Sequence, residues 1–342
     1  MQNLVDYTML PPEQLFGFNS DGSPRIEVSN AAKIAQDMIL PVCYRNTPWA
    51  LTIAHGLGFG TNRAEGLVQL FDDISLWEAI GYEVVSGSFE PKSNISLRRR
   101  GDAFPQIFKE NLYAKDVILT EVFDDDDAQV DWAARSISRD LTIDELQIED
   151  IMVIVSDSSK FVNIGKKLSA ELLKYGVKSH LTGIDTNRDE FFIKDSVVIT
   201  TIHRAKGNEA AMVYLINSEY GNGKFDLIKR RNTLYTGITR SRAWVRVCGV
   251  GVDMLAIKKE VELIIANDFK LNFVVPTDEE RKKLRNIHRD RSAGEIRNLE
   301  NIVKNTGEFI EKVHSGDVPI EALSQDDLAR LREILERTRE VK

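Results

Sequence analysis

Only two cysteines occur among the 342 residues, Cys43 and Cys248. Both stand in apolar, strand-like surroundings. They read as buried thiols of a cytoplasmic protein, not as a disulfide framework or a metal site. No apolar run reaches membrane-spanning length, and the first residues show no signal-peptide pattern. Positive net charge is also lacking, since 45 Lys and Arg stand against 53 Asp and Glu and leave −8 at pH 7. No global basic field therefore draws in nucleic acid, and any such contact must be a local channel. A phosphate-wrapping loop of the form GxxxxGK[ST] is missing as well. The nearest stretch, Gly221–Phe225, lacks the first glycine and a hydroxyl after Lys224, and it reads as a turn. The P-loop way of cradling a triphosphate is therefore not open to this stretch of chain by itself.

What is present describes a soluble globular protein, with 42% hydrophobic and 29% charged residues and length for one large or two ordinary domains. Residues 195–250 organise it. Val197–Ile202 and Met212–Ile216 are runs rich in β-branched residues without alternation, as in buried parallel strands. Between them lies a polar loop, His203–Ala210, and a third run, Trp244–Val250, follows an Arg-rich helical stretch. Lys206, Gly207 and Glu209 in the loop, with Thr239 and Arg240 after it, are groups that hold a phosphorylated ligand by backbone N–H, hydroxyl and guanidinium.

The rest of the chain reads as follows. Ser29–Met38 is a short helical pattern and Ile39–Tyr44 a strand. Thr47 and Pro48 make an N-cap and first helical position for a helix through Leu57. Strands are expected around Tyr82–Val85 and Ser96–Arg99, with a helix near Phe104–Leu112. The triple Arg98–Arg100 reads as a hairpin face with the alternative of a phosphate contact, and Asp124–Asp127 as a solvated turn with the alternative of a metal site. Val130–Leu141 and Ser159–Tyr175 are helices, and Asp150–Val155 and Val177–Gly183 strands, giving a parallel α/β lobe. Beyond Pro276 the chain is charged and helical. Leu299, Ile302, Val303, Thr306, Phe309, Ile310 and Val313 form a narrow apolar seam. A second helix over Asp326–Thr338 would complete a helical hairpin that packs on the lobe or binds a protein partner.

Three motifs carry a family resemblance. "TTIHRAKGNEA" resembles motif V of superfamily 1 helicases of the UvrD/Rep type, "LYTGITRSRAWVRVCG" their motif VI, and "LPVCYRNTPWAL" their motif IV. The resemblance implies an α/β, parallel-sheet RecA-like (P-loop NTPase-like) lobe over 27–275; an inserted region at about 58–130 and the helical hairpin over 276–342 are expected beside it. Residues 1–26, which open on Gln2-Asn3-Leu4, resemble the stretch that follows the Walker B acids in some relatives. On that reading they are the tail or linker of a preceding P-loop lobe. The chain departs from the pattern in having only Ile184–Lys194 where those helicases insert an accessory subdomain, and in carrying Arg204 and Asn208 where Ser and Leu are usual.

The resemblance also implies roles. Arg240 would meet the transition-state oxygens of the transferring phosphoryl and Arg45 the γ-phosphate of ATP. Tyr44 would stack on the adenine, Gly207 would bring backbone to the phosphates with Thr239 beside it, and Glu209 would accept a ribose hydroxyl. Thr201, His203 and Arg204 would face a single nucleic-acid strand, DNA before RNA. The ligands of Mg²⁺ are expected on the P-loop lobe. Two rivals use the same residues, a binding module that has lost the chemistry and a sensor subunit of a nuclease or defence system. Tyr44, Arg45, Gly207, Glu209 and Arg240 are expected together on one exposed, polar face at the carboxyl ends of the strands.

Overall fold

The computed structural model describes residues 42–71, 73–186, 190–287, 293–315 and 317, in two compact units, Met1–Asp290 and Arg291–Lys342. In the first unit, β1 (Tyr82–Gly87), β2 (Asn94–Arg99) and β9 (Leu271–Val274) make a three-stranded antiparallel sheet in the order β1-β2-β9. The larger sheet has six strands: β3 (Ile118–Phe123), β4 (Ile151–Val155), β5 (Ser179–Leu181), β6 (Val197–Thr201), β7 (Ala210–Ile216) and β8 (Ser241–Val250). Its order is β3-β8-β7-β4-β6-β5, and every pairing is parallel.

Helices cover both faces of this sheet. Ile151, Val153 and Val155 pack with Ile137, Ile164 and Leu168, from the helices Asp126–Thr142 and Phe161–Lys174. Met152 and Ile154 point the other way and pack with Ile53, Leu234 and Ile257. Those three come from the helices Pro48–Phe59, Leu227–Ile238 and Gly251–Ala266. With two apolar faces to fill, β4 has no polar position and no exposed one, which is why it reads as a continuous aliphatic run. The expected α/β parallel-sheet lobe is therefore present.

Helix starts follow local chemistry. Thr47 accepts the N–H of Ala50 at 3.2 Å and Pro48 takes the first helical position. The acidic run expected as a solvated turn is instead a helix start. Asp125 accepts the N–H of Ala128 at 2.8 Å, and Asp126 and Asp127 occupy the first turn, where the helix dipole favours negative charge. Among the described residues, no group of three or more His, Cys, Asp or Glu is placed to hold a metal ion.

Other expectations fare unevenly. Ile118–Phe123, within the stretch expected as an insertion, is β3, an edge strand of the main sheet. Residues 42–44 of the expected strand Ile39–Tyr44 are irregular. The rest of that strand, residues 1–26, Ser29–Met38 and the second hairpin helix Asp326–Thr338 lie outside the described residues. Helix Asp278–Ile287 belongs to the first unit. The second unit shows the 23-residue helix Ala293–Ser315, with Ile302 and Ile310 of its seam exposed. No helix among the described residues is long and apolar enough to cross a membrane.

Two buried polar groups tie the first unit together. Arg231 and Glu260 form a two-pronged ion pair, with both Nη–Oε distances at 2.8 Å, and the arginine also donates to Asn222 Oδ1 at 2.7 Å. His55 lies 2.9 Å from the Tyr82 hydroxyl. Burial, helped by the nearby Arg99 cation, lowers its pKa from 6.5 to about 3. Since the folded pKa is depressed, the unfolded chain binds a proton below pH 6.5 that the folded chain refuses. Stability contributed by neutral His55 is thus complete above pH 6.5 and falls as pH drops toward 3. Between pH 7.5 and pH 5 the loss should be about 2 kcal/mol. Urea denaturation at both pH values checks this, because His55→Gln should remove that part of the pH dependence.

Candidate functional site

Three segments distant in sequence converge at the amino ends of β7 and β8. Ala210 opens β7 opposite Ser241, which opens β8, and the Ala210 N–H donates to Arg240 O at 3.1 Å. The third segment, residues 44–47, is joined to them by Asn46. Its buried side-chain amide donates to Thr239 O at 3.0 Å and to Ser241 O at 2.7 Å. Arg45, beside it, is ion-paired through Nε with Glu209 Oε2. Arg45, Glu209 and Arg240 are therefore neighbours in the fold.

The edge is the opposite one from that expected. Glu209 and Arg240 precede β7 and β8 and do not follow carboxyl ends. After β6 the chain makes one turn of helix, Ile202–Ala205, and the segment through Glu209 carries it back to the amino end of β7. Gly207 lies in that return with φ of 92°, a left-handed conformation that strains a residue with Cβ. A Cβ there would meet nothing within 4 Å, so the backbone is open to an approaching group.

Exposure is graded across the set. Tyr44 is 76% exposed. Arg45 is largely covered, and its Nη1 is buried without a hydrogen-bond partner. Arg240, expected on an exposed face, is only 1% exposed. The physical reason is the helix end before it. Arg240 Nε and Thr239 Oγ1 each donate to Thr236 O at 3.1 Å, and Ser241 Oγ donates to Ile238 O at 2.9 Å. Three consecutive side chains thus satisfy the last carbonyls of Leu227–Ile238. The Thr239 hydroxyl expected beside a phosphate is used in this closure. Gly237, in the same motif, lets the helix press on β7, because a Cβ there would lie 2.5 Å from Leu215 Cδ1.

The residues expected to face a nucleic-acid strand follow the carboxyl end of β6, where β6 and β4 end side by side at Thr201 and Val155. Exposed His203 lines a cavity of about 110 Å³ with Ser156, Ser158, Lys206, Lys229 and Thr233. Hydroxyls and ammonium groups of that kind suit a strand phosphate. Thr201 is half-buried and does not line this cavity. Arg204 turns aside, its guanidinium resting over Gly183, where a Cβ would lie 2.2 Å from Nη2. The structure thus brings His203 together with two lysines and separates it from Arg204. Lys229 and Ser156 lie in none of the three quoted motifs, and the partners of Asn46, which lies in one, are 193 and 195 residues away.

Comparison with known proteins bears on the same stretch. Residues 196–248 match the family model described as UvrD-like helicase C-terminal domain. No curated protein sequence matches the chain. Among solved structures, the chain is similar to the C-terminal domain of a possible DNA helicase from Lactobacillus plantarum WCFS1, with 18% identity and a TM-score of 0.33 over 45% of this chain and 88% of that one. It is also similar to Arterivirus nonstructural protein 10, a helicase solved with DNA, at 9% identity and a TM-score of 0.25. That match covers 39% of this chain and 28% of the viral one. The matched stretch, which builds β6, the return segment, β7 and nearly all of β8, is similar to a UvrD-like helicase C-terminal domain.

Proposed function

We infer that the chain supplies one side of a nucleotide site shared between two lobes of an ATP-dependent superfamily 1 helicase, and part of a channel for single-stranded DNA or RNA. The observation that carries this reading is the convergence of residues 44–47, 207–210 and 239–241 through the Asn46 hydrogen bonds and the Arg45–Glu209 ion pair. The residues present fit a nucleotide. The orphaned Arg45 Nη1 is a donor in search of an oxygen, and Gly207 leaves its backbone open. Arg45 would leave Glu209 for a phosphate, freeing the carboxylate for a ribose hydroxyl. Arg240 would supply charge to the transferring phosphoryl, and Tyr44 has the exposure for stacking on a base. Mg²⁺ and the phosphate-wrapping loop would come from the partner lobe, and His203, Lys206 and Lys229 would hold a strand phosphate. The rival of a binding module without chemistry is disfavoured by the proximity of Arg45, Glu209 and Arg240. On its own the 342-residue polypeptide should not hydrolyse ATP above background, because Arg240 has no bound phosphate to act on. Turnover by the purified chain that disappears in Arg240→Ala would overturn the shared-site reading.

A further inference from the structure

A second cavity lies beside the small sheet. Its volume is about 360 Å³, and it is lined by the first turn of Pro48–Phe59, by β1 and β2 residues, by Lys109 and by Phe269. None of Arg45, Glu209 or Arg240 lines it. At its wall stands Arg99, 6% exposed. Its Nη1 and Nη2 donate to Ile80 O and Ala103 O, both at 3.2 Å, while Nε is buried without a partner. Arg99 has no carboxylate within ion-pair distance among the described residues. Its guanidinium also lies 5.3 Å from the centroid of the Tyr82 ring, which offsets part of the cost of burial but supplies no counter-charge.

The other charges point the same way. Of the two acids on the wall, Glu83 is held by Arg98 at 2.9 Å. Asp268 is 3.7 Å from Lys270 and its side chain is 83% exposed. Lys109, exposed, stands 5.0 Å over the Phe104 ring and has no acidic partner among the described residues. Arg99 and Lys109 thus rest on aromatic rings and, among the described residues, have no acidic counter-charge, next to the positive end of a 12-residue helix. Trp49 and Phe269, both partly exposed and with ring centroids 6.4 Å apart, line the cavity. Nucleobases stack on such rings, and the volume sits at the small end of the roughly 300–1,000 Å³ of ligand pockets.

We propose that this cavity binds a phosphomonoester attached to a nucleobase, with the phosphate between Arg99 and Lys109 and the base against Trp49 or Phe269. The group comes either from a free mononucleotide or from the 5′ end of a nucleic-acid strand. It is a site separate from the one formed by Arg45, Glu209 and Arg240.

Calorimetric titration of the intact chain with AMP, and with a short single strand carrying a 5′-phosphate or a 5′-hydroxyl, tests it. Saturable binding of AMP, the phosphorylated strand or both is expected, with displacement by inorganic phosphate. AMP alone identifies a free nucleotide as the source, and the phosphorylated strand alone identifies a strand end. Lys109→Glu, on an exposed side chain, should weaken binding at least tenfold, and Arg99→Met should do the same if it folds. Three results would overturn the proposal: no saturable binding of either phosphomonoester, equal binding of the 5′-hydroxyl strand, or binding lost in Arg45→Ala but kept in Lys109→Glu.

Discussion

In a protein that joins this chain to a P-loop lobe, Arg240→Ala is expected to slow ATP turnover by about 10³–10⁵-fold. That range corresponds to about 4–7 kcal/mol of barrier, the scale of a guanidinium placed on phosphoryl oxygens in the transition state. The burial of Arg240 complicates the measurement, since the same side chain also caps Thr236 O at the end of its helix. Alanine would loosen that end as well as remove the charge. Arg240→Lys narrows the comparison, because lysine keeps the charge and most of the side chain but has neither the Nε–H given to Thr236 O nor a rigid fork for two oxygens. A large loss of kcat in both variants, with Tm falling further in the alanine variant, is the expected pattern. Turnover within tenfold of the unsubstituted protein in Arg240→Ala would leave Arg240 a helix-closing residue and end its catalytic reading.

The second large effect concerns stability. Glu260→Ala should cost about 3–5 kcal/mol, because it strands the Arg231 guanidinium, 0% exposed, without its counter-charge. Burial already pushes the Glu260 carboxyl above its ordinary range, and Arg231 draws it back. Arg231 lies on Leu227–Ile238, Glu260 on Gly251–Ala266, and Arg231 Nη1 also reaches Leu57 O on Pro48–Phe59 at 3.4 Å. The pair thus fastens the three helices on one face of the sheet. Thermal unfolding should show Tm lower by roughly 6–20 °C. The double variant Arg231→Met with Glu260→Leu should recover most of the loss, since it leaves no charge buried alone. If Glu260→Ala melts within 2 °C of the parent, the pair is not the fastening it resembles.

The parallel lobe was legible because central strands buried on two faces cannot avoid long aliphatic runs, as in Ile151–Val155 and Met212–Ile216. The edge strand β3 was not. Ile118 is buried while Leu119 is 42% exposed, and Glu121 and the acids after Phe123 dilute the signal further. Strand order carries no local trace at all. Arg45, Glu209 and Arg240 were singled out by the resemblance of three motifs, but a motif is silent on burial, and so Arg240 was expected in the open. Asn46 escaped because its only visible property is a polar residue before a capping threonine, while its two acceptors lie at the far end of the lobe's sequence. Arg231 and Glu260 failed for a related reason. A charged residue on a helix looks solvated until its partner is placed across from it in space.

The return segment between β6 and β7 has a mechanical consequence. Residues 202–209 begin where Thr201 and His203 stand and finish at Glu209, so one short strut links opposite rims of the lobe. Ile202 and Ala205 are buried and act as its pins, while Gly207 in its left-handed state is the joint. A strut of that length has little slack. A tug on His203 that is not absorbed at the joint must reach Glu209, and through Ala210 the carbonyl of Arg240. Stiffening the joint, or loosening a pin, would retune how faithfully one rim reports to the other.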